Sequence, residues 1–265
     1  MIIDGRAIAK DILDSVKAQI DEASFSAAPT MTAVTCSPNF ETQKYLEMKK
    51  RKAAEVGISL NIIDLSEHST TEEVISCVKK ISTESDGVVV QLPLPGHINK
   101  EAVLKSVSPE KDPDGFCYSE KHQSILPPVV GAIDEISKVN QVEWKNKKVV
   151  ILGQGSLVGL PAARYARKRG ARVRVYEKGT LDISSLKTAE IIVSGIGQPN
   201  FITKDMVHEG VIIFDAGTSE EDGVLAGDVH PEVSEVASLI TPVPGGIGPI
   251  TIAYLLRNLL SLKRQ

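Results

Sequence analysis

The stretch KKVVILGQGSLVGLP, residues 147–161, decides the fold. Its first part, KKVVILG (147–153), reads as a strand, and Val88 to Val90 elsewhere in the chain run without polar alternation, as in a parallel strand covered on both faces. Gly153, Gly155 and Gly159 follow as G-x-G-x-x-x-G, and Val158 to Arg169 reads as a helix closed by Gly170. Glycines at such a turn let the backbone approach a pyrophosphate, whose charge is met by N–H groups at the helix start. Taken alone, they are also explained by an ordinary strand-to-helix turn. Two features favour the ligand. Glu177 ends the next strand, ARVRVYE (171–177), 24 residues after Gly153 and near where an acid meets the ribose in dinucleotide-binding folds. Gly195 and Gly197 close EIIVSGIG (190–197), where the backbone can come close to a nicotinamide. The segment reads as the opening of a Rossmann domain, with Gly153, Gln154, Gly155, Ser156, Val158, Gly159, Glu177, Gly195 and Gly197 at the dinucleotide.

Outward from this stretch the alternation continues. VIIFDAG (211–217) is a further strand, and Ile247 to Leu262 a final helix. Before it, Asp4 to Ala23 carries Ile8, Ile12, Val16 and Ile20 as one helical stripe. MTAVTC (31–36), SLNIID (59–64) and DGVVVQL (86–92) read as strands, with helices over Glu41–Val56 and Thr71–Ile81 between them. Strands alternating with helices imply parallel sheets and an α/β fold. The expected organisation is two α/β domains with a cleft between them. Residues 1–127 form the first, residues 128–246 the Rossmann domain, and helix 247–265 packs back on the first.

Composition narrows the class. The chain has 265 residues, 42% hydrophobic and 24% charged, which suits two globular domains. A net charge of −4 argues against a dedicated nucleic-acid binder. Asp4, Arg6, Lys10 and Asp11 exclude a signal peptide or membrane anchor at the start, and no apolar run approaches the ~20 residues of a membrane span. Cys36, Cys77 and Cys117 lack metal-ligand spacing, as do the five histidines. The cysteines read as reduced, buried thiols of a cytoplasmic protein, and no metal is expected.

A second set of polar residues gathers in the first half. Tyr45 and Lys49, four apart, share a helical face. Gln91 ends a buried strand, at the edge where open α/β sheets bind ligands. Asp112 and Asp114 sit in the turn KDPDGF (111–116). Each has a bland reading: Lys49 to Lys52 as a solvated helix face, Gln91 as a strand cap, Asp114-Gly115 as a turn. TPVPGGIGPIT (241–251), a rigid proline- and glycine-rich loop before a helix, is harder to explain that way, because it lets a flat ligand approach the backbone.

These segments together resemble the bifunctional methylenetetrahydrofolate dehydrogenase/methenyltetrahydrofolate cyclohydrolase family, nearly end to end. The resemblance covers IDGRAIAKDI, Y-x-x-x-K with its following K-A-x-x-x-G-I, DGVVVQLPLPGHI, P-E-K-D-x-D-G-F, ILGQGSLVGLP, GIGQPNFI and TPVPGGIGPITIAYLL. It implies that Lys49 is the catalytic lysine, that Tyr45 stacks along the folate and Gln91 supports the lysine, and that Asp114 holds the pterin edge. Pro242, Pro244, Gly245 and Gly246 match the loop closing the folate and nicotinamide pockets. The resemblance also implies a folate substrate, a homodimer through the Rossmann domain, and a place in one-carbon metabolism.

Three departures stand out. LPPVVG (126–131) replaces a longer Pro-Cys-Thr-Pro-x-Gly segment. Gly153-Gln154-Gly155 replaces Gly-Arg-Ser, and Tyr176-Glu177-Lys178 replaces Cys-His-Ser. The resemblance favours NADP, whose 2′-phosphate that arginine reads. Gln154 and Glu177 point to NAD instead, while Lys178 can supply a charge to the phosphate. NADP is the expected cofactor, with NAD the alternative.

The implied chemistry makes different demands at each step. Oxidising a methylene held between two nitrogens needs mainly orientation, because the lone pairs stabilise the cation and the cofactor takes the hydride. Hydrolysing the methenyl cation needs a group that exchanges protons, which a lysine can do when burial disfavours its charged form. Lys49, held by Gln91, is the candidate. Competing readings are a monofunctional dehydrogenase of the same family, a shikimate-dehydrogenase-like oxidoreductase, and a folate-binding module without chemistry.

Overall fold

The computed structural model describes residues 1–23, 25–119, 125–177, 182–221 and 224–264. The first half builds α1 (Gly5–Ala23), β1 (Thr30–Cys36), α2 (Phe40–Glu55), β2 (Ser59–Leu65), α3 (Thr71–Glu84), β3 (Gly87–Val90) and α4 (Lys100–Lys105). Its sheet runs β2-β1-β3 and is parallel throughout. Three local causes set these elements. All four residues of β3 are buried, as a strand covered on both faces requires. α2 starts where the Asn39 side chain accepts from the Thr42 N–H. Before α3, Thr70 and Glu73 form a reciprocal capping box. α3 then buries Val74, Val78 and Ile81 in a cluster with Val34, Val88 and Val90 of the sheet.

The second half builds α5 (Pro128–Val139), β4 (Lys148–Leu152), α6 (Gly159–Lys168), β5 (Arg172–Tyr176), α7 (Ile183–Lys187), β6 (Ile191–Ser194), β7 (Ile212–Asp215), the hairpin β8 (Ser219–Glu221) and β9 (Val224–Ala226), β10 (Leu239–Ile240) and α8 (Ile247–Lys263). Its five-stranded sheet has the order β10-β7-β6-β4-β5, again all parallel. Chain order reverses between β4 and β6. That pair is the topological switch point, outside whose carboxyl ends open α/β sheets hold their ligands.

The chain separates into two compact units, Lys10–Pro127 with Ile252–Gln265, and Met1–Ala9 with Pro128–Thr251. Two features depart from the expected division. The first nine residues belong with the unit Pro128–Thr251, because Ile2 bridges Ile240 in parallel and the Ile3 N–H bonds the Ile240 carbonyl at 3.0 Å. The division also falls within α8, after Thr251, rather than before residue 247. The helix α5 begins within LPPVVG, a stretch to which the sequence assigns no element. Of the three cysteines expected to be buried thiols, only Cys36 is; Cys77 and Cys117 are half-buried, and all three are free. Among the described residues no helix is long and apolar enough to cross a membrane.

Candidate active site

Within the first unit, Lys49 is 6% exposed on the inner face of α2, which also buries Leu46 and Ala53. The solvated-face reading of KKRK therefore fails at its first lysine, while Lys50 and Arg51 are exposed as that reading expects. Lys49 Nζ donates to Gln91 Oε1 at 3.0 Å and lies 4.8 Å from the centre of the Tyr45 ring. Gln91 follows β3, and its backbone N–H continues the ladder to the Val34 carbonyl at 2.8 Å. Its Nε2 donates to the Leu92 carbonyl at 2.8 Å. That second bond turns the amide oxygen toward the lysine, so Gln91 does more than cap a strand.

The turn after residues 109–111 separates the roles of its two aspartates. Asp112 is buried and works for the fold: Oδ2 accepts the Cys117 N–H at 2.7 Å, and its carbonyl accepts the Gly115 N–H. Gly115 sits at φ +68° against the Pro127 backbone, where a side chain would collide. Asp114 is left half-buried at the bend. Burial raises its carboxyl to about 6; the charge of Lys49 opposes that rise and Asp112 adds to it. Lys49, Gln91, Tyr45 and Asp114 thus form one electrostatic cluster. A cavity of about 500 Å³ lies at the carboxyl ends of β1, β2 and β3, lined by Cys36, Asn39, Glu67, His68, Pro93 and His97 among others. The cluster residues do not line it, and the polar contacts rather than this hollow define the site.

In the second unit the glycine loop occupies the switch point. Gly153 follows β4 at φ +97° and donates its N–H to the Tyr176 carbonyl at 2.8 Å. A Cβ at Gly153 would lie 3.0 Å from the Gly195 carbonyl, and one at Gly195 would lie 2.8 Å from Val158 Cγ1. A Cβ at Gly159 would overlap the Gly153 carbonyl. These three glycines are required by the close approach of the β4 loop, the first turn of α6 and the β6 loop. Gly155 differs: nothing lies within 4 Å of its missing Cβ, and Gln154, Gly155 and Ser156 are exposed. A bare, outward-facing backbone just before α6 fits an anionic pyrophosphate. Glu177 is exposed at the end of β5, Gly197 is exposed after β6, and Lys178 lies outside the described residues.

The loop before α8 proves to be packed tightly on its own unit. A Cβ at Gly246 would lie 2.6 Å from the Pro242 carbonyl, and one at Gly5 would overlap the Gly246 carbonyl. The Gly5 N–H also bonds the Gly245 carbonyl at 2.9 Å. Glycine at 246 is thus a demand of internal packing, whereas Pro244 is exposed and Gly245, at φ +108°, and Pro242 are half-buried. Sequence reasoning missed the pair Asp215 and Asp228, both buried beside this loop and the β6 loop. Burial raises the Asp215 carboxyl to about 6, with Asp228 adding to the rise against the backbone N–H bonds it accepts. The only signal in the chain is the mirrored Asp-Ala-Gly (215–217) and Ala-Gly-Asp (226–228).

Comparison with known proteins joins the two halves. Residues 3–114 match the tetrahydrofolate dehydrogenase/cyclohydrolase catalytic domain, and residues 127–265 match the NAD(P)-binding domain of the same family. The bifunctional protein FolD of Staphylococcus aureus is 35% identical over 279 residues, covering 100% of this chain and 96% of the relative. The crystal structure of FolD methylenetetrahydrofolate dehydrogenase/cyclohydrolase from Campylobacter jejuni superposes with a TM-score of 0.94 at 32% identity, covering 100% of this chain and 98% of that one. The Trypanosoma brucei enzyme, complexed with NADP cofactor and inhibitor, gives 0.92 at 32% identity, covering 100% and 97%.

Proposed function

The chain belongs to the tetrahydrofolate dehydrogenase/cyclohydrolase family, and from that premise we propose that it catalyses two successive steps on folate. It oxidises 5,10-methylenetetrahydrofolate to 5,10-methenyltetrahydrofolate with a nicotinamide dinucleotide, then hydrolyses the methenyl compound to 10-formyltetrahydrofolate. The observation that carries this reading is the buried Lys49 hydrogen-bonded to an oriented Gln91 beside Tyr45 and Asp114.

The dinucleotide, when bound, supplies the hydride acceptor. Gly153, Gln154, Gly155, Ser156, Val158 and Gly159 hold its pyrophosphate, and Glu177 lies at its ribose. Gly195 and Gly197 border the nicotinamide half. On the folate side, Asp114 fixes the pterin edge through hydrogen bonds to its carboxylate. Tyr45 lies along the folate. In the hydrolytic step a water oxygen adds to the methenyl carbon, one carbon–nitrogen bond opens, and one proton is released. Lys49 relays that proton through its side-chain nitrogen, which Gln91 keeps in place.

NADP is assigned as the dinucleotide on the strength of the family. Gln154 and Glu177, which lack positive charge where a 2′-phosphate would lie, weaken discrimination against NAD. The protein is assigned as a homodimer through its Rossmann domain. Cysteine usage supports a reducing, cytoplasmic compartment. A spectrophotometric assay with each dinucleotide tests the reading. Purified protein should reduce NADP, and more weakly NAD, in the presence of methylenetetrahydrofolate, and should consume the methenyl compound without any dinucleotide. Absence of both conversions sinks the reading. A mass in solution of one chain would remove the dimer.

A further inference from the structure

Asp215 and Asp228 are almost fully buried, at 2% and 0% exposure, and neither belongs to the machinery described above. Each carboxylate occupies the space that a side chain would fill at the other's glycine. A Cβ at Gly217 would overlap the Asp228 carboxylate, and one at Gly227 would overlap that of Asp215. The mirrored sequences around them are therefore the two halves of an interlock. Asp215, at the end of β7, accepts the N–H groups of Gly217 (2.9 Å), Asp228 (3.2 Å) and Val229 (3.0 Å), which fixes the backbone that carries Asp228. Asp228 then reaches across to the end of β6. Its Oδ2 accepts Ser194 Oγ–H at 2.7 Å and the Ile196 N–H at 2.9 Å, and its Oδ1 accepts the Gln198 N–H at 2.8 Å.

The bonded loop is the one that packs on the glycine turn at the switch point, since the Gly195 carbonyl leaves no more than 3.0 Å for a Cβ at Gly153. The same interlock holds the start of the loop before α8. The Asp215 N–H donates to Thr241 Oγ1 at 2.7 Å, and a Cβ at Gly227 would lie 2.8 Å from Val243 Cγ2. Five backbone N–H groups and one hydroxyl converge on two carboxylates. Such density is costly to assemble and fixes the position of whatever it binds.

We propose that Asp228, locked by Asp215, is a positioning residue for the dinucleotide: it sets the Gly195–Gln198 loop and thereby governs cofactor binding without acting on hydrolysis at Lys49. The proposal rests on the function proposed above for the switch point. It makes a specific demand on chemistry. In Asp228→Asn the side chain keeps its volume, but one oxygen becomes an amide that faces either the Ile196 or the Gln198 N–H, whichever way it turns. The loop must then shift.

The test uses the full-length protein, with calorimetric titration of NADP and NAD alongside both activity assays and a thermal melt. Asp228→Asn should weaken dinucleotide binding by roughly tenfold or more, the worth of a buried donor left unpaired. The KM for dinucleotide should rise in step, while hydrolysis of the methenyl compound stays within about two-fold. Gly217→Ala retains the carboxylate but displaces it, and should reproduce the effect. Unchanged dinucleotide affinity in either folded variant overturns the proposal, as does an equal fall in both activities. So does failure of both variants to fold, since the pair would then serve the fold alone. Because the titration needs no turnover, a wild-type protein that binds dinucleotide yet performs neither conversion would refute the assigned reaction and leave this test intact.

Discussion

Gln91 uses both ends of its amide, and that divides the work between itself and Lys49. With Nε2 bound to the Leu92 carbonyl, Oε1 stays oriented whether or not a lysine is present. Lys49→Met therefore removes the proposed proton-exchanging group and leaves its support standing. Hydrolysis of the methenyl compound should fall by roughly 10²–10⁴, the range for loss of general acid–base catalysis. Activity within a few-fold of wild type in a stopped assay would exclude Lys49 from the mechanism. Asp114 should act on binding instead. Its carboxyl, raised by burial to about 6, is ionised above that pH and can accept two hydrogen bonds from the pterin edge. Protonation removes one acceptor, so folate KM should climb as pH falls from 7.5 through about 6. Asp114→Ala should weaken folate by roughly 1–3 kcal/mol at pH 7.5, and Asp114→Asn should show a flat KM across the same window. A wild-type KM independent of pH between 5 and 7.5 would return Asp114 to a turn residue. Tyr45 and Lys49 share a helical face by period and Gln91 stands at a strand end, whereas Asp114 reads only as a turn residue until the family resemblance singles it out. The Asp215–Asp228 interlock was not legible, because each aspartate taken alone reads as an ordinary strand-end or turn residue.

Elements with a strong internal period were readable, and those defined by distant partners were not. The apolar runs of β1, β3 and β4 and the stripe of α1 appear at nearly the expected residues, and the glycine spacing located the start of α6 within one residue. α5 escaped because Pro127-Pro128 drew attention as a boundary, yet Pro128 at the first helical position is itself a start signal and Val130, Ile133 and Ile136 are its buried stripe. α8 shows what period cannot supply. Leu255, Leu256, Leu259 and Leu260 are buried, and between them Asn258 looks misplaced on an apolar helix. Its Nδ2 donates to both the Pro113 and Leu126 carbonyls at 2.9 Å, so the helix holds the turn that carries Asp114. Asn258→Ala leaves one buried and one part-buried acceptor unpaired and should cost roughly 1–3 kcal/mol. The check is a lower urea midpoint at unchanged slope, together with a raised folate KM. A loss below about 0.5 kcal/mol would mean that water or a neighbour replaces the amide.

At the scale of the molecule, two parallel sheets divide the proposed chemistry by unit: the residues proposed to relay the proton and to hold the pterin fall in Lys10–Pro127, the glycine loop in Pro128–Thr251. The alternation of strand and helix predicts two α/β units that meet near Pro127–Pro128. The membership of Met1–Ala9 was hidden, because it depends on a bridge from Ile2 to Ile240 that no local pattern encodes. The division predicts where each ligand leaves its mark in hydrogen exchange. Amides already held by the protein report little, and Ile196 and Gln198 are bonded to Asp228 before any ligand arrives. Gln154, Gly155 and Ser156 sit on exposed backbone before α6, so they exchange through small local openings. Saturating NADP should slow exchange in 153–159 by an amount set by ligand concentration over its dissociation constant, and should leave 45–49 and 112–116 close to their free rates. Tetrahydrofolate alone should do the reverse. The contrast matters because general tightening of the protein would slow both sets together, whereas occupancy of a pyrophosphate cradle slows one. If NADP leaves 153–159 unprotected while it supports turnover, the dinucleotide lies elsewhere and the reading of the glycine loop is wrong.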